Sequence, residues 1–385
     1  MKKKAGNNKT QKAPLSRLLI SESERGADMF YATGFRAPDD FIYLEYHGKK
    51  IILLSDLELD RGRREAHVDE VMSWSHLAKE VASELKKEPS NTQVIAAFLK
   101  KQYAFHVIVP HNFSLSLARS LEESGITLET KEGLFFPQRA IKTSEEIKFL
   151  ERAMHITETG MARAMEILKQ TKIGKEHQLL WHRKPLTSER LREEIEGTLY
   201  RAGGIPQGDS IIAGGLQACD PHERGHGTLY AHQMIIIDLF PRDAKSGYYG
   251  DLTRTVLRGK VSQAQYHLWN TCLEGQEIAL KQIQPKASGG KIHHTVEKFF
   301  TKKGYPTEQK EGRWSGFFHG TGHGLGLELH EEPRFGKAIL KAGHVFTIEP
   351  GLYIPALGGV RHEDVIAVTP AGYQLLSKFP KTLEL

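Results

Sequence analysis

Cysteine is scarce in this chain of 385 residues, which contains only Cys219 and Cys272. Neither of them belongs to a CxxC motif. Two cysteines in a chain of this length argue against a disulfide framework and fit a reducing compartment. We therefore expect a cytoplasmic protein.

Long apolar runs are also absent. No stretch of about eighteen apolar residues occurs, so we expect no transmembrane helix and no membrane partner. The positive charges at the start of the chain are followed by the polar segment Gly6–Lys12 instead of an apolar stretch. A secretory signal is therefore not expected.

The excess of positive charge is small, because the sequence has 53 Lys and Arg residues and 47 Asp and Glu residues, which gives a net charge of +6. Blocks of like charge usually stay disordered, so we interpret the first basic run as a solvated tail. No basic stripe with interleaved aromatic residues follows it, and we expect no nucleic-acid partner. The residues of this run are Lys2, Lys3, Lys4, Lys9 and Lys12.

The first third of the chain alternates strand and helix patterns, which predicts an α/β domain. Phe41–Tyr46 and Lys49–Leu54 are rich in aromatic and branched residues, and the intervening His47-Gly48 predicts a β-hairpin. Further predicted elements are helices over His76–Lys86, Thr92–Tyr103 and Leu115–Glu123, and short strands over His106–Val109 and Ile126–Leu128. Pro137 indicates a boundary, and we divide the chain into residues 1–138 and 139–385.

The second part predicts an α+β domain. Thr143 and Glu146 form a capping box in front of a long amphipathic helix, and Ser262 with Gln265 opens another. The remaining predictions are a helix over Glu189–Arg201 and strands in Leu229–Phe240, Tyr248–Leu257, Phe317–Leu329, Val345–Ile354 and Val360–Thr369.

Five residues in this part point to metal chemistry. Each lies within or at the end of an apolar or glycine-rich segment, where an unpaired carboxylate costs several kcal/mol or becomes protonated. A cation would compensate them, and oxygen ligands with one imidazole suit Mn²⁺, Co²⁺ or Zn²⁺. Four carboxylates are enough to hold two ions. The five residues are Asp238, Asp251, His323, Glu349 and Glu363.

Four segments containing these residues resemble the metal-site blocks of Xaa-Pro aminopeptidases and prolidases, which belong to the pita-bread, or creatinase-like, metallopeptidase family. The resemblance is strong over about Thr143–Thr369 and extends weakly to Asp28–Phe35. It implies a pita-bread catalytic domain preceded by a smaller creatinase-like α/β domain. The four segments are Asp238–Thr255, His319–Glu331, Thr347–Ile354 and Gly359–Asp364.

The resemblance also implies a role for each matching residue. Asp238 would chelate one metal ion, Asp251 and Glu363 would bridge both, and His323 and Glu349 would complete the other. Two divalent ions, most often Mn²⁺, would then hold the hydroxide that attacks the peptide bond, with Glu349 as its proton shuttle. The matching residues on the substrate side are His222, His319 and His330, with Arg361 beside the bridging glutamate.

The chain departs from the family in one spacing. Asp238 and Asp251 are thirteen positions apart, which exceeds the usual separation by an even number of residues. An even insertion keeps the alternation of side chains in phase. We expect the extra residues to lie in the loop Pro241–Gly247.

The implied activity is that of an Xaa-Pro aminopeptidase, which releases the first residue of peptides with proline at the second position. A prolidase, which cleaves only Xaa-Pro dipeptides, would share all five ligands and remains an alternative. A metal-free creatinase-like hydrolase has no need of this ligand set, and a methionine aminopeptidase is usually close to the catalytic domain alone. The intact ligand set also argues against a pita-bread binding protein without activity. By resemblance we expect a homodimer or larger homo-oligomer.

Overall fold

The structure is a computed structural model that describes residues 16–208, 210–310 and 312–385. It consists of two compact units, Met1–Phe136 and Pro137–Leu385. The basic run that we predict to be a solvated tail lies outside the described residues. Within the described ranges, no helix combines the length and the apolar character needed to cross a membrane.

The first unit is built on a six-stranded sheet with the strand order β4-β3-β2-β1-β5-β6. Strand β2 pairs antiparallel with both β1 and β3, whereas the outer pairs are parallel. The elements in chain order are β1 (Ser16–Ser21), α1 (Ala27–Thr33), β2 (Phe41–Tyr46), β3 (Lys49–Leu54), α2 (Leu59–Glu65), β4 (Glu70–Ser73), α3 (Trp74–Leu85), α4 (Asn91–Lys101), β5 (His106–Pro110), α5 (Leu115–Glu123) and β6 (Thr127–Lys131).

Both faces of this sheet are buried, which explains why the central strands contain continuous apolar stretches such as Phe41–Leu44 and Ile51–Leu54. Ile42 and Leu44 of β2 pack with the helices α3, α4 and α5 on one face. Phe41 and Tyr43 point to the opposite face, where they pack with α1 and Phe135. Successive side chains of a strand alternate between faces, so a strand covered on both sides shows no alternation of polarity. The predicted hairpin and the three predicted helices of this unit are confirmed.

In the described part of the second unit there are four α-helices and several small sheets. Its elements in chain order are α6 (Ser144–Gln170), β7 (Lys172–Ile173), β8 (Leu179–Trp181), β9 (Lys184–Pro185), α7 (Ser188–Arg201), β10 (Gly204–Ile205), β11 (Ile211–Gly214), β12 (Met234–Leu239), β13 (Arg242–Asp243), β14 (Leu252–Leu257), α8 (Gln263–Leu280), α9 (Gly289–Lys302), β15 (Glu308–Lys310), β16 (Arg313–Ser315), β17 (Val345–Ile348), β18 (Gly351–Ile354), β19 (Gly358–Arg361), β20 (Asp364–Thr369) and β21 (Gly372–Leu375). The capping boxes predicted at Thr143 and Ser262 are both present.

Three antiparallel groups of strands carry the residues of interest: β11-β12-β14, β17-β20-β21 and β18-β19. Residues of α8 and α9, among them Phe300, form a hydrophobic core with strand residues such as Phe346 and Val360. Helix α7 lies directly on α6, where a Cβ atom at Gly160 would be only 2.5 Å from the Leu199 side chain. The strands therefore rest on a rigid helical support.

The prediction of a strand over Phe317–Leu329 is wrong, because most of this segment is irregular. Its glycines lie against other backbone atoms. A Cβ atom at Gly322 would be 1.9 Å from the Thr347 carbonyl oxygen, and one at Gly324 would be 2.3 Å from that of Glu331. The segment therefore follows the surface of β17 as a close-packed loop and forms only isolated bridges.

Candidate metal centre

Asp238 and Asp251 are brought to one face of the β12–β14 pair. Asp238 lies opposite Thr253 in the antiparallel register. Asp251 precedes Thr253 by two residues, so its side chain points to the same face as those of Thr253 and Asp238. The long connection between the two acids contains β13 and a turn in which Asp243 accepts hydrogen bonds from the backbone and the hydroxyl of Ser246.

Glu349 and His323 are held by one threonine of β17. The backbone N–H of His323 donates to Thr347 Oγ1 at 3.0 Å, and this hydroxyl donates to Glu349 Oε1 at 3.1 Å. The backbone N–H of Thr347 donates in turn to the carbonyl oxygen of His323 at 2.9 Å. Glu349 directly follows β17, so the strand and the glycine-rich loop fix both side chains together.

Glu363 lies in the short break between β19 and β20 and is buried. Thr253 Oγ1 donates to Glu363 Oε2 at 2.7 Å, and the N–H of Glu363 donates to the Thr253 carbonyl oxygen. Behind it, the guanidinium of the buried Arg254 donates to the Glu363 carbonyl oxygen and pairs with Asp364 at 2.8 Å. Thr253 of β14 therefore fixes the carboxylate, and Thr253 and Arg254 together fix the backbone of Glu363.

The five predicted ligands form one cluster. His323 Nε2 is 3.4 Å from Asp251 Oδ2 and 3.3 Å from Glu349 Oε1. Among the described residues, Asp251, His323 and Glu363 offer ligand atoms that all lie within 4.8 Å of one another. Segments far apart in sequence thus converge on a volume suited to coordination.

The carboxylates of this cluster are so close together that they would repel one another if all were ionised without a compensating cation. Burial raises the pKa of Asp251 well above its ordinary value, and the nearby Asp238 and Glu349 raise it further. Burial and the neighbouring Asp251 likewise raise the pKa of Glu363, and burial raises that of Glu349. Such shifts indicate that the protein groups alone do not balance the charge.

Asp238 is held from one side only. Arg361 Nη2 donates to Asp238 Oδ2 at 2.7 Å. The other carboxylate oxygen, Oδ1, is buried and accepts no hydrogen bond from a described residue. Buried polar atoms are nearly always satisfied, so this oxygen requires a partner. The unpaired oxygen and the oxygen-rich cluster with one imidazole fit a site for divalent metal ions.

The predicted histidines surround the cluster. Nδ1 of His319 bonds the carbonyl oxygen of Gly320 at 2.8 Å, and Nε2 bonds the hydroxyl of Tyr353 at 2.8 Å. Burial, with a contribution from Arg361, lowers the pKa of His319 to about 3, so the ring is neutral. A neutral ring that donates from Nδ1 accepts at Nε2. Both nitrogens of His319 are therefore engaged within the protein.

His330 and His222 lie nearer to solvent. The rings of His330 and His323 meet edge to face with centroids 4.2 Å apart. Desolvation, with contributions from the neighbouring His323 and His222, lowers the pKa of His330 to about 4. The structure thus brings all three predicted substrate-side histidines to one region.

Three further residues order the site and were missed in the sequence. Thr253 and Thr347 hold the carboxylates described above. Tyr353 accepts a hydrogen bond of 2.9 Å from Arg361 Nη1 and bonds His319, so it links the arginine to the histidine. All three lie inside the segments that resemble the family's metal-site blocks, and that position was the signal available.

The sequence matches the family model described as metallopeptidase family M24 over residues 148–370. The chain belongs to metallopeptidase family M24. It is 30% identical to an Xaa-Pro dipeptidase of Pyrococcus horikoshii over 326 residues, which cover 79% of this chain and 84% of the relative. This M24 chain has the pita-bread fold, as its structural neighbours do.

Two solved structures illustrate the likeness of fold. An Xaa-Pro dipeptidase from Bacillus anthracis has a TM-score of 0.79 at 24% identity, covering 96% of this chain and 95% of the other. An X-Pro aminopeptidase from Thermotoga maritima has a TM-score of 0.79 at 22% identity, covering 96% and 97%. At these identities the likeness concerns the fold, and it extends over nearly the whole M24 chain.

Proposed function

We propose that this M24 metallopeptidase is an Xaa-Pro aminopeptidase, and that its second unit releases the first residue of peptides with proline in the second position. One observation carries the proposal: Asp251, His323 and Glu363 present their ligand atoms together in a buried cluster. The relatives named as Xaa-Pro peptidases supply the substrate class.

The cluster would hold two divalent metal ions, with Mn²⁺ as the first candidate and Co²⁺ or Zn²⁺ as alternatives. Asp238 would bind one ion, Asp251 and Glu363 would bind both, and His323 and Glu349 would complete the set. When bound, such ions lower the pKa of a coordinated water and polarise the carbonyl group under attack.

Glu349 is our candidate for the group that takes the proton from the attacking water. Burial raises the pKa of this carboxyl group in the metal-free protein. The hydroxyl of Thr347 fixes its orientation. The same carboxyl group then returns the proton to the leaving proline nitrogen.

Recognition of the substrate falls to the groups around the cluster. Asp238, or the ion that it would hold, is our candidate partner for the free α-amine, which would restrict cleavage to the first bond. His330 and His222 are candidate donors to the substrate carbonyl groups. His319 would act on substrate only by exchanging its bond with Tyr353, so we propose that it chiefly orients Tyr353 and Arg361.

A dipeptidase specific for Xaa-Pro is the second candidate, because relatives from Pyrococcus horikoshii and Bacillus anthracis carry that name. A matched panel separates the two: Ala-Pro, Ala-Pro-Ala, Ala-Ala-Ala and acetylated Ala-Pro-Ala, incubated with the Mn²⁺-loaded enzyme. An aminopeptidase releases alanine from Ala-Pro-Ala and leaves Ala-Ala-Ala and the acetylated peptide intact.

Mass spectrometry of the products decides between the outcomes. Cleavage of Ala-Pro alone would move the assignment to the dipeptidase. Equal cleavage of Ala-Pro-Ala and Ala-Ala-Ala would reject the specificity for proline. The absence of hydrolysis across the panel would reject the proposed function.

A cytoplasmic homodimer remains our prediction for the state of the protein in the cell. The two cysteines are free, which agrees with a reducing compartment. Light scattering on the purified protein would measure the mass of the assembly, and a monomer at micromolar concentration would contradict the prediction.

A further inference from the structure

A cavity of about 590 Å³ begins at His319 and Gly320 and runs between helix α9 and the β15–β16 hairpin. Its walls near His319 are aromatic, because Trp314, Phe317 and Phe318 line it. Its volume is within the range of about 300–1,000 Å³ that is usual for ligand sites. A cavity with aromatic walls that adjoins a candidate substrate-side histidine has the character of a substrate subsite.

Trp314 is an unusually exposed aromatic residue in the lining of this cavity. It is 53% exposed on the short strand β16, although large aromatic side chains are usually mostly buried. Its only described ring contact is with Phe318, at a centroid distance of 6.4 Å. Exposed aromatic rings with one apolar face free are common anchors in binding sites.

A second cavity of about 540 Å³ continues the first one, since Glu297 and Thr307 line both. The lining of this second cavity includes the exposed lysines Lys298 and Lys302. Neither ammonium group forms an ion pair with a described residue. The groove therefore changes from aromatic beside His319 to basic at its far end.

A chain of hydrogen bonds connects the metal cluster to the beginning of the first cavity. Asp238 binds Arg361 at 2.7 Å, Arg361 binds Tyr353 at 2.9 Å, and Tyr353 binds His319 at 2.8 Å. Asp238 and His319 therefore occupy opposite ends of this chain. A peptide whose amine lies against Asp238 would pass His319 and continue into the groove.

We propose that this groove binds the part of the peptide that follows proline, with Trp314 stacking on the chain and Lys298 and Lys302 attracting its C-terminal carboxylate. The inference rests on the proposed function and refines it: the preferred substrates are oligopeptides with a free C-terminus. The charge of the lysines matches that carboxylate, and the aromatic walls suit the apolar faces of peptide residues.

Steady-state kinetics on Ala-Pro peptides of two, three, five and seven residues test the proposal in the Mn²⁺-loaded enzyme. In wild type, kcat/KM should rise with length. Trp314→Ala should lower kcat/KM for the longer peptides by about tenfold, the size of loss typical for a truncated aromatic anchor, mainly through KM. The same variant should leave Ala-Pro unchanged. Tyr200→Ala, which removes an exposed aromatic residue of α7 that lines neither cavity, is the control.

The basic end is tested with Lys298→Gln combined with Lys302→Gln. This double variant should lose the preference for a five-residue peptide with a free carboxylate over its C-terminal amide. Lys291→Gln, an exposed lysine on the same helix that lines neither cavity, should retain it. Equal effects of the double variant and the control would overturn the role of the lysines.

The experiments distinguish an error in the groove proposal from an error in the proposed function. Cleavage of Ala-Pro with no gain from length, or an equal loss on all lengths in Trp314→Ala, overturns the groove and leaves the peptidase standing. If no peptide is cleaved, the proposed function fails. Calorimetry with a five-residue peptide whose first bond is reduced then tests the groove alone, and equal affinity for wild type and Trp314→Ala would refute it.

Discussion

Thr347 shows how one hydroxyl group orders two functional side chains. It accepts from the backbone of His323 and donates to Glu349, so both its hydrogen-bonding capacities are used within the candidate centre. Its side chain is fully buried, so water does not compete for these bonds. The position of Glu349 is therefore set before substrate or metal arrives.

Replacing Glu349 with Gln tests the proposed proton transfer. The amide retains the shape of the carboxylate but neither accepts a proton nor carries a ligand charge. We expect kcat to fall by at least about 10², the range typical for loss of a general base, with an unchanged circular dichroism spectrum. A variant within threefold of wild type would assign Glu349 another role.

His344 provides a pH-dependent prediction that does not involve the metal centre. Burial lowers the pKa of this imidazole to about 4, and Nδ1 accepts a hydrogen bond from the Lys341 backbone. In the unfolded chain this imidazole takes up a proton near pH 6.5, whereas in the folded chain it stays neutral until the pH is much lower. Stability is therefore fully present above pH 6.5 and is lost as the pH falls towards 4.

His344→Asn keeps an acceptor and does not titrate. Between pH 7 and pH 5, the free energy of unfolding should fall by about 2 kcal/mol more in wild type than in this variant. Urea denaturation at the two pH values measures the difference. Identical pH dependence of the two proteins would contradict the assignment.

At the scale of elements, the loop that carries His323 and His330 is anchored by Glu331. Its buried carboxylate pairs with Arg139 at 2.7 Å and with Lys142, and it accepts the N–H of Glu328 at 3.2 Å. The N–H of Glu331 donates to the Gly324 carbonyl oxygen, which closes the loop. The carboxylate of Glu331 therefore contacts two buried cations.

Glu331→Gln should lower the free energy of unfolding by about 3 kcal/mol, because removing one member of a buried ion pair leaves uncompensated charge. Glu328→Gln is a matched control: Glu328 pairs with the same nitrogen of Arg139 at the same distance, but its side chain is 50% exposed. It should change stability by less than about 1 kcal/mol. Equal losses in urea denaturation would show that burial does not decide the strength of these pairs.

Elements with a local signal could be predicted from the sequence. The capping boxes at Thr143 and Ser262 and the hairpin at His47-Gly48 depend on neighbouring residues only. Helix α9 was missed because it opens with two glycines, which usually disfavour helices. The structure shows the reason for Gly289, since a Cβ atom there would lie 1.8 Å from the Phe335 carbonyl oxygen.

The candidate ligands could be named from the sequence because acids in apolar strands are conspicuous and the segments resemble a known family. The contacts that orient them could not. Thr253 meets Glu363, and Tyr353 meets His319, only after segments distant in sequence have come together. Tyr353 and Arg361 meet within the β18–β19 hairpin. The local sequence around a threonine or tyrosine does not predict which residue its hydroxyl group will contact.

For the whole molecule, metal removal should abolish activity and lower the melting temperature. Ions that bind only the folded state stabilise it by mass action. We expect a chelator to inactivate the enzyme and Mn²⁺ or Co²⁺ to restore both activity and Tm. Full activity after exhaustive removal, confirmed by elemental analysis, would exclude metal catalysis.

Because the pKa values of Asp251, Glu349 and Glu363 are raised, metal binding at this centre should release protons from these groups. In the metal-free protein these groups retain protons at pH values where free carboxyl groups have lost them, and coordination displaces those protons. Adding Mn²⁺ to the metal-free protein in weakly buffered solution should therefore acidify it, and its apparent affinity should increase with pH. Acidic conditions would therefore release metal ions from the enzyme and lower its activity.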